Sequence, residues 1–199
     1  MIITLAAGLT ALLVVARLVI FVALHFARSD YNVVEHAVSD YHVGRTRRLA
    51  TAMTWLTAAS WATLAVCVAA GFPGAADRGS MLAQLIALVV IFVVLPFLPT
   101  DVEGSRRTVI GILHYLAAIA WFALAYSLTG NFTRLITHPT GLATTLGILH
   151  WIALVSLIAL IVALLLKPLR RFAFGIAERI FLLTIGVFYA ITAIAIAVR

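Results

Sequence analysis

Few side chains in this sequence can do chemistry, and they come in a readable order: Arg17, then His36, Ser39 and Asp40, then Asp101 and His114, and finally Glu178 and Arg179. Imidazole together with carboxylates could hold a divalent metal that activates water. Alternatively, His114 oriented by a carboxylate could serve as a general base toward Ser39 or a bound water. Under either chemistry Asp101, His114, Ser39 and Glu178 are the candidate catalytic residues. Arg17, His36, Asp40 and Arg179 are the candidate binding residues. Two other roles compete. The same groups could form a charge-neutralised network that locks helices together, with Arg17 paired to Asp101 or Glu178, or they could line a transport path. No spaced ligand set such as H-E-x-x-H is present, so the metal stays undetermined.

The elements that must position these groups follow from the background in which they stand. The chain has 199 residues, 64% of them hydrophobic and 11% charged, with a mean hydropathy of +1.16. A soluble domain is about half apolar and about a quarter charged. A globule of this size has too little interior for so much apolar surface. Disorder is excluded by the same figure, and a disulfide scaffold by the presence of Cys67 alone. The solvent this composition suits is lipid.

Apolar runs long enough to cross a bilayer, about 20 residues, occupy 2–26, 49–71, 80–98, 108–128, 144–166 and 175–198. Breakers separate them: Phe72-Pro73-Gly74, Pro99-Thr100-Asp101, His138-Pro139-Thr140-Gly141 and Lys167-Pro168-Leu169-Arg170-Arg171. The runs are too long for barrel strands and do not alternate, so backbone satisfaction in lipid requires helices. The sequence predicts an all-α polytopic membrane protein, a single six-span domain over 1–199. A cleaved signal peptide is not expected, because no basic residue precedes the first run and Arg17 interrupts it.

Alternation of the spans puts the loops at 27–48, 99–107 and 167–174 on one side, with both termini and two further loops on the other. Lys and Arg divide ten to three in favour of the first side. The positive-inside rule makes that side cytoplasmic and both termini external. The net charge of +7 therefore reflects loop arginines beside anionic lipid rather than nucleic acid. The expected partner is membrane lipid, with a possible amphiphilic ligand.

In the first loop, Tyr31, Val34, Val38 and Tyr41 share one helical face, Asn32 and Glu35 have capping-box spacing, and Gly44 suits a helix stop. A short interfacial amphipathic helix is expected there, with His36 and Asp40 one turn apart on another face. His114 lies about 9 Å into its span at 1.5 Å per residue, on the same side as Asp101. Arg17 reaches a comparable depth, and Glu178 and Arg179 open the last span. Arg17, Asp40, Asp101, His114 and Glu178 are therefore expected to cluster, with Ser39 and His36 above them.

The stretch Thr108–Tyr115 is echoed by Thr144–Trp151, each with a Gly-Ile-Leu-His core. The two copies open spans of opposite direction. His114 and His150 then differ in depth by more than about 10 Å in a core of about 30 Å, which argues against joint ligation of one haem. The tryptophans read as interfacial or packing residues, and Cys67 as an apolar filler.

The ordered set His36-x-x-Ser39-Asp40-x-x-x-Gly44, Pro99-Thr100-Asp101-x-x-Gly104, Gly111-x-x-His114 and Gly175-x-x-Glu178-Arg179 resembles the prokaryotic membrane proteins of domain-of-unknown-function family 998. The likeness runs through nearly the whole chain. It implies a compact six-helix membrane protein and a shared site at Asp101, His114, Glu178 and Arg179, but no reaction. A more distant likeness is to the CREST membrane hydrolases, which pair Ser, Asp and three His around zinc. This chain departs from them in having six spans and no late His-x-x-x-His, so zinc is not carried over. The expected function is the binding or handling of a lipid headgroup or amphiphile. Hydrolysis of a lipid ester or amide, and small-solute or proton-coupled transport, are the alternatives.

Overall fold

The computed structural model describes residues 1–27, 31–101 and 106–199. Asp30, Glu103 and Gly104 of the loop motifs lie outside the described residues. The long helices are α1 (Ile2–Phe26), α2 (Arg47–Gly71), α3 (Arg78–Val94), α4 (Val109–Leu135), α5 (Thr140–Leu165) and α7 (Gly175–Ala197), with a single turn α6 (Lys167–Leu169) before the last. Among the described residues there are no strands. Six helices are long and apolar enough to cross a membrane.

Lipid as solvent explains which faces are buried. On α1 the buried residues Ala7, Thr10, Val14, Arg17, Phe21 and Leu24 recur at helical spacing. Its opposite face exposes Leu5, Leu12 and Val19. In water that arrangement would be unstable, whereas against hydrocarbon it costs nothing. The most buried span is α7, at the centre of the bundle. Its Gly186, Ala190, Ala193 and Ala195 are small enough to admit close neighbours. Helices α1 and α5 pack against α7, and α2 joins α1 to α3. Hydroxyl groups inside the bundle mostly bond within their own helices, as Thr57 does to the Met53 carbonyl. Thr10 also donates to Thr63 at 2.7 Å, joining α1 to α2.

The boundaries differ from the apolar runs at some helix ends. Helix α4 continues to Leu135 rather than Leu128, and within the extension the Thr129 and Thr133 hydroxyls are satisfied by the Tyr126 and Gly130 carbonyls. Arg134 in that extension pairs with Asp77 at 3.1 Å. Pro96 ends α3 by opening a 3-10 turn over Leu95–Phe97.

The first loop corrects an expectation. In place of an amphipathic α-helix there are turns followed by a 3-10 helix, Val38–His42. Local side chains outcompete the α-helical pattern. The Asn32 carboxamide oxygen accepts the Val34 N–H at 2.9 Å, and the Asp40 carboxylate accepts the Ala37 N–H at 3.1 Å. The apolar positions still face inward, with Val38 and Tyr41 buried. Gly44 stops the segment at φ +76°, a conformation glycine adopts without strain.

Candidate functional site

Where the basic loops meet, the helices enclose a cavity of about 500 Å³. Arg17 contributes from α1, Met53, Thr54 and Thr57 from α2, and Glu178 and Leu182 from α7. The 3-10 segment supplies Val38, Ser39, Asp40 and His42, and the rim carries Asp101, Arg107 and Arg170. His114 and Trp121 line it from α4, and Leu157, Leu160 and Leu164 from α5. The structure thus brings Arg17, Ser39, Asp40, Asp101, His114 and Glu178 around one space.

The carboxylates in this ring are engaged by backbone amides. Glu178 is buried, and its Oε2 accepts the Val38 N–H at 2.7 Å. Asp40 caps its own 3-10 helix through the Ala37 N–H. Asp101 accepts from the Thr108 N–H at 2.7 Å and the Thr108 hydroxyl at 2.8 Å. Thr108 in turn caps α4 by accepting the Gly111 N–H at 3.0 Å. Those two Thr108 bonds hold the Asp101 carboxyl below its usual range. The closeness requires a glycine: a Cβ on Gly111 would collide with the Asp101 carboxylate.

Arg17 has a different environment. It is 6% exposed, and its Nη1 donates to the Leu182 carbonyl at 3.2 Å. The Arg17 Nε has no hydrogen-bond partner. The expected pairing with Asp101 or Glu178 is not made. Gly186 makes room for the guanidinium, since a Cβ there would lie 2.8 Å from Arg17 Nη1.

His114 differs from expectation in its partner. Its Nδ1 bonds to the Leu98 carbonyl at 2.7 Å, not to a carboxylate. Because a carbonyl only accepts, Nδ1 carries the proton, and in the neutral ring Nε2 holds the lone pair. His42, which spacing did not single out, bonds to the Ser39 carbonyl at 3.2 Å and the Thr54 hydroxyl at 2.8 Å. Burial, assisted by the neighbouring His114, pushes His42 down to about 4. Its ring is therefore neutral at pH 7, with Nδ1 assigned as the donor to Ser39.

Two predicted residues stand outside the lining. Arg179 donates from Nε to His25 Nε2 at 2.8 Å and from Nη1 to the His36 carbonyl at 2.8 Å. It thereby staples the end of α1 and the first loop to α7. The His36 ring accepts the Asn32 N–H at 3.1 Å. His25 was also not singled out; its signal was a place in the last turn of the span carrying Arg17. Arg107 and Arg170 were legible only as loop charge. His150, the counterpart of His114, bonds to Thr129 Oγ1 at 2.7 Å and stacks on Tyr126. Among the described residues, no three His, Cys, Asp or Glu side chains stand close enough to hold a metal ion.

Six helices long and apolar enough to cross a membrane define a polytopic helical membrane protein. The chain belongs to the family described as "Protein of unknown function (DUF998)", whose sequence model matches residues 5–195. No curated protein and no solved structure matches the chain.

Proposed function

We propose that this protein binds an amphiphile through its anionic headgroup, in a cavity at the cytoplasmic face of the membrane. The observation that supports this most is the Arg17 guanidinium, buried in the cavity wall with a single carbonyl acceptor and no carboxylate. A cation in a low-dielectric wall strongly favours an incoming anion. Arg107 and Arg170 at the rim add positive potential along the entry. The volume of about 500 Å³ is that of a small-molecule site. The ten-to-three division of Lys and Arg supports the cytoplasmic orientation, with both termini outside.

The test is native mass spectrometry of the purified protein after exchange into mixed phosphatidic acid and phosphatidylcholine. Retention of phosphatidic acid, reduced at least tenfold by Arg17→Gln, is expected. Equal retention of both lipids, unchanged in the variant, would overturn the reading.

One observation favours a second reading, hydrolysis of a lipid ester or amide. His114 is fixed through Nδ1, which leaves Nε2 to take a proton from a water attacking a bound carbonyl. Its test is release of fatty acid from bound lipid, abolished by His114→Gln.

A further inference from the structure

The cavity is not walled equally on all sides. Its lining residues from α1, α2 and α7 are buried, whereas Ile112, Leu116 and Ile119 of α4 and Ile161 of α5 are 46–56% exposed. On α4 these follow one stripe at i, i+4 and i+7. On α5, Leu157, Leu160, Ile161 and Leu164 form the facing stripe. The two helices are joined at their other ends, where His150 of α5 bonds to Thr129 and stacks on Tyr126 of α4 at 5.1 Å. They are thus stitched near the loop that connects them, and the cavity lies between them toward the basic end. From Ile112 to Ala123 the cleft follows about 16 Å of helix axis at 1.5 Å per residue.

We infer that the α4–α5 cleft is a lateral portal to the bilayer, through which the hydrocarbon tail of the bound amphiphile extends while its headgroup stays at Arg17. The inference rests on the headgroup reading above and specifies the ligand: an anionic lipid rather than a free anion. Continuity identifies the occupant. One end of the space is a buried cation, and the other is a strip of exposed aliphatic side chains inside the span, the two chemistries of one amphiphile. A free phosphate or carboxylate would use the first end and leave the second without a role.

The experiment uses the full chain in nanodiscs containing phosphatidic acid with a photoactivatable diazirine in its acyl chain, with labelled peptides mapped after illumination. Labelling concentrated on 112–123 and 157–164 is expected. It should fall several-fold in Leu116→Trp, which fills the cleft from an exposed position, and in Arg17→Gln. Label on the outer face of α1 should be unchanged in both variants.

Three outcomes would overturn the portal. Label that reaches the cavity from α2 or α7 but spares the cleft refutes the portal and leaves the headgroup reading standing. Millimolar inorganic phosphate displacing the probe as well as excess unlabelled phosphatidic acid shows that the tail contributes nothing. Uniform labelling insensitive to Arg17→Gln reports only annular lipid, and both readings then fail.

Discussion

Glu178 on α7 accepts the Val38 N–H of the first loop at 2.7 Å, a bond between residues far apart in sequence that seats the loop over the cavity. Removing the acceptor leaves a buried amide without a partner, at a cost of about 1–3 kcal/mol. Glu178→Ala is therefore expected to lower the thermal midpoint in detergent by that equivalent. Glu178→Gln, which keeps an acceptor oxygen, should recover most of the loss. Equal destabilisation by both variants would mean that the charge rather than the bond matters.

Asp101 and Gly111 form a matched pair. Asp101→Ala removes a carboxylate that anchors the capping Thr108, and should lower the unfolding midpoint. Gly111→Ala should destabilise the wild-type chain, because its methyl group displaces that carboxylate. In the Asp101→Ala background the collision is gone. Helix propensity then favours alanine by about 0.5–1 kcal/mol, so the sign of the Gly111 substitution should reverse. A double-mutant cycle on unfolding midpoints checks it.

Arg17 separates a binding role from a packing role. A buried guanidinium with one carbonyl acceptor is poorly compensated for lost solvation. Arg17→Met is expected to raise the thermal midpoint while abolishing retention of phosphatidic acid. If Arg17 merely locks helices, the same substitution lowers the midpoint instead.

His42 titrates at about 4 in the folded chain, below the ordinary histidine value near 6.5. Between those values the unfolded chain binds the extra proton, so folding stability rises with pH. The contribution is fully present above about pH 6.5 and is lost as pH falls toward 4, up to about 3 kcal/mol at 1.36 kcal/mol per unit. Unfolding midpoints measured across that range should show the decline, and His42→Gln should flatten it.

Gly175 touches the first loop directly. Its N–H bonds to the Val34 carbonyl at 2.9 Å, and a Cβ there would lie 2.5 Å from the Val33 carbonyl oxygen. Gly175→Ala should push the loop outward and speed limited proteolysis within 31–43, with the helices still protected.

Much of the architecture was legible because a lipid solvent imposes a simple rule, that backbone groups must be satisfied within each span. The first run, Ile2–Phe26, coincides with α1. The rule weakens outside the apolar layer, where α4 outran its hydrophobic segment and the first loop took 3-10 geometry. In the site, types and depths brought six predicted residues to one cavity. Bond partners were not legible, since a carboxylate in sequence looks equally ready for an arginine, a histidine or an amide. Asp101, Glu178 and Asp40 all took amides.

By itself the sequence determined the solvent, the number of spans and the end of the bundle where the ionisable groups gather. These depend on run length and on the order of rare charges along the chain, which are one-dimensional quantities. Only the tertiary structure decided that Arg17 is left without a carboxylate and that Arg179 is a staple outside the cavity. Those outcomes depend on which helix faces meet, and side chains distant in the chain settle that by competing for the same few partners in three dimensions.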